Sequence, residues 1–131
     1  MHVALTSEHF TDLSGQRILV VEDEALAAML IEDGLRYAGA EVVGTATTVE
    51  LALTMIKAAM LDGGLTSVVL DLNLHGKLSH TVADQLASLG VPFVFATGYE
   101  KDCDIGRHTN VPMIHKPFSA NMLTAAVAGV A

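Results

Sequence analysis

The sequence predicts an α/β protein, a doubly wound parallel sheet with helices on both faces. Three observations predict it. Short apolar runs rich in β-branched residues alternate with longer segments of helical period, the alternation repeats about five times, and the polar residues that end the apolar runs form one coherent set.

The first strand is expected at residues 17–21 and leads into a helix over 24–38. There Leu26, Met29, Leu30, Asp33 and Tyr37 recur at helical spacing and Gly39 supplies a stop. Residues 41–44 form the second strand. Thr48 is placed to cap a helix carrying Leu51, Leu53, Met55 and Ile56, which Gly63 and Gly64 close. The third strand is 67–70, followed by a polar connection over 73–79 and a helix over 81–89 ended by Gly90. Pro92 opens the fourth strand, which runs to Ala96. Residues 98–110 are polar and charged with few apolar anchors, so a fourth helix there is expected to be short or mobile. Residues 111–114 form the fifth strand, and Ser119 caps a last helix to about Val127. Met29, Met55, Met60 and Met122 fall on helical faces and are read as core filler.

Composition narrows the function classes. The 131 residues are 51% hydrophobic and carry 15 acidic against 7 basic side chains, a net charge of −8, which describes one globular domain. Clustered Lys and Arg are needed to hold phosphates, and here they are scattered, so no nucleic acid partner is expected. The longest strongly apolar stretch, 25–31, is far short of the roughly 18 to 20 residues of a membrane span. Residues 1–16 lack the basic start and apolar run of a signal peptide, and a cytoplasmic protein without membrane attachment is expected. Cys103 is the single cysteine and cannot form an internal bridge, so it reads as a reduced surface thiol. No Gly-x-Gly-x-x-Gly follows the first strand, which sets dinucleotide binding aside, and the six histidines show no recognised metal spacing.

In an open parallel sheet, ligands bind beyond the carboxyl ends of the strands. The first run ends in Glu22-Asp23, the third in Asp71, the fourth in Thr97 and the fifth in Lys116-Pro117. Taken singly, Asp71 is more often a turn residue, and Glu22-Asp23 could open a helix at its favourable dipole end. Their shared edge shifts the balance. Three converging carboxylates repel unless a cation intervenes, and hard oxygen donors on an open site suit Mg²⁺. Lys116 would balance the charge of a transferred phosphoryl group, and the Thr97 hydroxyl could donate to one of its oxygens. Asp71 is then the nucleophile that could carry an acyl phosphate. The Lys116-Pro117 bond is expected to be cis, in a tight turn that aims Lys116 back at Asp71.

With these residues in place, residues 17–127 resemble the receiver domains of the two-component response-regulator family. The motifs Asp71-Leu72-Asn73-Leu74, Phe95-Ala96-Thr97-Gly98-Tyr99 and His115-Lys116-Pro117-Phe118 are similar to a Phe-Ala-Thr-Gly subgroup associated with alphaproteobacteria. The resemblance implies a flavodoxin-like fold with strand order 2-1-3-4-5, and a division into an N-terminal extension (1–16) and a receiver domain (17–131). It implies that Glu22 and Asp23 are the acidic pair for Mg²⁺, that Asp71 is the phosphoacceptor and that Thr97 and Lys116 contact the phosphoryl group. Asn73 matches the position whose backbone carbonyl completes the metal shell. The implied partners are a histidine kinase or histidine phosphotransfer protein, docking through the first helix, and a downstream protein, with the receiver itself a monomer or weak dimer. It would be no enzyme beyond its own phosphoryl transfer and slow self-dephosphorylation.

Two positions depart from the family. Met113 stands where an aromatic ordinarily swings inward on activation, and the loop after Asp71 lacks the common Met-Pro pair. The first departure leads to the expectation that phosphorylation orders 98–110 instead. An alternative class is a phosphatase or phosphotransferase forming an aspartyl phosphate on an external substrate. It needs a second acid near the nucleophile, which Asn73 cannot supply.

Overall fold

The computed structural model describes residues 11–98, 108 and 110–131. Its elements are β1 (Arg17–Val21), α1 (Ala25–Tyr37), β2 (Glu41–Ala46), α2 (Val49–Met60), β3 (Ser67–Asp71), β4 (Asn73–Leu74), β5 (Lys77–Leu78), α3 (His80–Leu89), β6 (Phe93–Thr97), β7 (Met113–His115) and α4 (Ala120–Val130). The main sheet has the order β2-β1-β3-β6-β7, with every neighbouring pair parallel. Counted without the small hairpin β4-β5, this is the expected order 2-1-3-4-5 of the receiver fold.

The alternation of a strand's side chains splits the core in two. Val68 and Leu70 of β3 join Leu19, Ile56, Leu86 and Phe95 on the side covered by α2 and α3. Val69 faces the other way, with Ile18, Val20, Ile31, Leu35 and Leu123 under α1 and α4. β3 is buried along its whole length, as a central strand covered on both faces must be. Leu13 is fully buried in the second cluster and its amide donates to the Ala38 carbonyl, so packing begins upstream of Arg17.

Local chemistry sets the helix ends. The Thr48 and Ser119 hydroxyls accept from the amides of Leu51 and Met122, satisfying donors the first turns of α2 and α4 leave open. Gly90 closes α3 at a φ of 72°, which only glycine adopts freely.

The residues that mark the helical period, Leu26, Met29, Leu30 and Tyr37, share the solvent face of α1, 52 to 84% exposed, while Ala28, Ile31 and Leu35 pack on the sheet. Two expectations need correction. Met29, Met60 and Met122 are likewise exposed rather than core filler; of the four, Met55 packs against the core. The connection after Asp71 is not simply polar loop, because it folds into the antiparallel hairpin β4-β5. Of the expected short or mobile helix over 98–110, only Gly98, His108 and Asn110 are described, and Cys103 also lies outside the described residues. Among the described residues no helix is long and apolar enough to cross a membrane.

Candidate functional site

Parallel pairing brings the carboxyl ends of β1, β3, β6 and β7 to one edge. Val21 pairs with Leu70, Asp71 with Ala96, and Thr97 with His115. Glu22 extends the β1 ladder by one residue, its amide donating to the Ala46 carbonyl, and its side chain is 1% exposed. One oxygen each from Glu22, Asp23 and Asp71 lies within 4.8 Å of the others. That spacing and an all-carboxylate donor set fit a hard divalent cation such as Mg²⁺.

Lys116 reaches into this cluster. Its Nζ lies 2.7 Å from Glu22 Oε1 and 3.2 Å from Asp71 Oδ2. The Lys116-Pro117 peptide is cis, as expected, and the Lys116 amide donates to the Thr97 carbonyl over 2.7 Å. Thr97 is fully buried at the end of β6. The Asp71 carboxylate accepts from the Asn73 amide at 3.1 Å, and its backbone carbonyl accepts from the buried Ser79 hydroxyl at 2.7 Å. The Asn73 side chain is turned into the hairpin, where Oδ1 accepts from the Gly76 amide.

Three of the ionisable groups respond differently to this crowding. Burial pushes Glu22 up to about 7; the Lys116 hydrogen bond pulls against it and the neighbouring Asp71 carboxylate adds to it. For Asp23, partial burial is outweighed by hydrogen bonds from the His75 amide and its own, which hold it below the ordinary carboxylate range. Lys116 is held above its usual value because the Glu22 bond and the two carboxylate charges overcome burial.

The edge therefore gathers Glu22, Asp71 and Lys116 in direct contact and brings an Asp23 oxygen within 4.8 Å of the two carboxylates, with Thr97 beside them through the Lys116 backbone and Asn73 through the Asp71 carboxylate. Sequence reasoning missed His75, whose amide donates to Asp23 Oδ2 at 2.9 Å, and Ser79. The pair His75-Gly76, a turn signal between Leu74 and Leu78, could have pointed to the hairpin. It also missed His108, 8% exposed, whose Nε2 lies 2.7 Å from Asp84 Oδ1 and whose ring packs edge-on to Phe93.

An apolar cleft of about 200 Å³ adjoins Lys116 and is lined by Leu26 and Leu30 of α1 together with Pro117 and Phe118. A larger cavity of about 320 Å³ lies away from this chemistry, between β2 and α2. The cation there, Arg17, is already bonded to Glu41 and to the carbonyls of Asp62 and Gly64.

No family model and no curated protein matches the chain. Solved structures do. SdrG from Sphingomonas melonis Fr1 is 40% identical, over 86% of this chain and 96% of that one, with a TM-score of 0.73. The receiver (REC) domain of the Erythrobacter litoralis response regulator PhyR is 25% identical over 89% of this chain and 90% of that one, at 0.74. This chain belongs to the response-regulator receiver domains. The receiver also matches the response regulator PhyR from Brucella abortus, at 26% identity and a TM-score of 0.79. That match covers 98% of the receiver but 52% of PhyR, so the chain spans about half the length of that relative.

Proposed function

We propose that this receiver works in a cytoplasmic phosphorelay, accepting a phosphoryl group on Asp71 from a histidine kinase or histidine phosphotransfer protein and passing the signal to a downstream protein. The observation that carries the reading is the bridge made by Lys116 between Glu22 and Asp71, inside a cluster of three carboxylates at the sheet's ligand-binding edge.

Glu22, Asp23, Asp71 and the Asn73 carbonyl are the residues assigned to hold Mg²⁺. When bound, the ion supplies positive charge against the phosphoryl oxygens. An Asp71 oxygen forms the bond to phosphorus as the donor's P–N bond breaks, the electron pair leaving with the imidazole nitrogen. Lys116 then stabilises charge on the transferred group, and the Thr97 hydroxyl donates to one of its oxygens. The chain turns over no external substrate, since the position two after Asp71 holds an amide and not the acid a phosphatase would need.

The donor docks on the solvent face of α1. Leu26 and Leu30 are 63% and 62% exposed and continue into the apolar cleft beside Lys116. The test of the function is labelling by a small phosphodonor: wild type should label in Mg²⁺, and neither chelator-treated protein nor Asp71→Asn should.

A further inference from the structure

His75 is the sole non-glycine residue with a positive φ among the described residues, at 52°, and Gly76 follows at 82°. Two consecutive left-handed residues make the tight turn whose twist suits the paired strands β4 and β5. For a residue with a Cβ this conformation is disfavoured, so the surroundings must hold it. They do so at three points. Asn73 Oδ1 accepts from the Gly76 amide and closes the turn from within, Leu74 is buried in the core, and Lys77 Nζ reaches Glu50 Oε2 on α2 at 2.7 Å.

With the turn fixed this way, the His75 amide donates to Asp23 Oδ2 at 2.9 Å, and the imidazole Nδ1 stands 3.4 Å from the same oxygen. The other two carboxylates of the cluster are held by other groups, Glu22 by Lys116 and the Glu24 amide, Asp71 by Lys116 and the Asn73 amide at the start of the hairpin. The hairpin supplies the corresponding grip on Asp23.

We propose that His75 is a positioning residue: its left-handed backbone holds the amide that orients Asp23, so the β4-β5 hairpin sets the affinity of the site for Mg²⁺. This rests on the Mg²⁺ reading above. Partners that orient a metal ligand typically govern affinity rather than chemistry once the metal is saturating. Because the amide does the holding, tolerance of positive φ should rank the variants, and loss of the ring alone should matter little.

The test is a series at this position, His75→Gly, His75→Asn, His75→Ala and His75→Val, in the full chain. Mg²⁺ titrations would be followed by the thermal upshift and by the amide resonance of residue 75, alongside labelling by a small phosphodonor. His75→Val, β-branched and driven from the left-handed region, should weaken Mg²⁺ binding about tenfold, yet label at the wild-type rate once Mg²⁺ saturates. His75→Ala should fall between and carries the test if the Val variant does not fold. His75→Gly and His75→Asn, which accept positive φ and keep the N–H, should restore wild-type affinity. Val and Ala variants that lose thermal stability but bind Mg²⁺ as wild type does would overturn the proposal. So would Gly and Asn variants weakened as much as Val, because the ring would then be the working group. A wild-type chain that shows no Mg²⁺ response would instead overturn the function on which the proposal rests.

Discussion

Lys116 Nζ stands 2.7 Å from Glu22 Oε1, and the carboxylate it holds is 1% exposed. The same ammonium reaches Asp71 Oδ2 at 3.2 Å, so one cation from the end of β7 bridges two buried carboxyl groups from the ends of β1 and β3.

Removing that cation leaves two buried carboxylates without a balancing charge once Glu22 has lost its proton. At about pH 8, above the raised Glu22 value, Lys116→Met should destabilise the chelator-treated domain by about 3 to 5 kcal/mol, the usual cost of breaking one side of a buried pair. Adding Glu22→Gln should recover part of the loss. Urea unfolding measures both, and a single-variant loss under about 1 kcal/mol, typical of exposed pairs, would contradict the account.

The metal-free domain should also show a pH dependence owed to Glu22. Its folded value is raised from 4.5 to about 7, so the fold favours the protonated form. The group's contribution to stability is then present below about 4.5 and is lost as pH rises to about 7. In chelator, wild type should lose stability between about pH 5 and about pH 7 relative to Glu22→Gln, which has no such proton. Equal slopes in the two proteins would show that Glu22 ionises normally.

Much of the architecture was legible because each main strand is an apolar run bounded by turn residues, and because the site residues sit at the ends of those runs. The facing of α1 was not. Leu26, Met29, Leu30 and Tyr37 satisfy helical spacing as well as Ala28, Ile31 and Leu35 do, and periodicity alone cannot say which of two apolar stripes meets the sheet. The hairpin escaped because its strands are two residues each, too short to alternate. The contact of His108 with Asp84 joins residues 24 apart and leaves no local signal.

The exposed apolar stripe on α1 leads to a test of the docking face. Leu26→Asp with Leu30→Asp should leave stability within about 0.5 kcal/mol, as exposed positions do. Phosphotransfer from the cognate protein donor should weaken at least tenfold in KM, about 1.4 kcal/mol, while labelling by a small phosphodonor is unchanged. Equal loss with both donors would place the defect in the site and not in docking.

The His108 contact should be structural. His108 bonds Asp84 and packs edge-on to Phe93, which in turn packs edge-on to Phe95. His108→Ala leaves a gap against that pair and should cost about 1 to 3 kcal/mol in urea unfolding. Hydrogen exchange should quicken at Val111, whose amide donates to the His108 carbonyl. Unchanged stability and exchange would show that the contact holds nothing in place.

The central claim is that Asp71 accepts the phosphoryl group with the help of a metal held by Glu22 and Asp23. Intact-mass measurement after incubation with a small phosphodonor tests it most directly. The account predicts the mass of one added phosphoryl group on wild type in Mg²⁺, and none in chelator or on Asp71→Asn. Labelling of Asp71→Asn to the wild-type level, or full labelling of wild type in chelator, would contradict it.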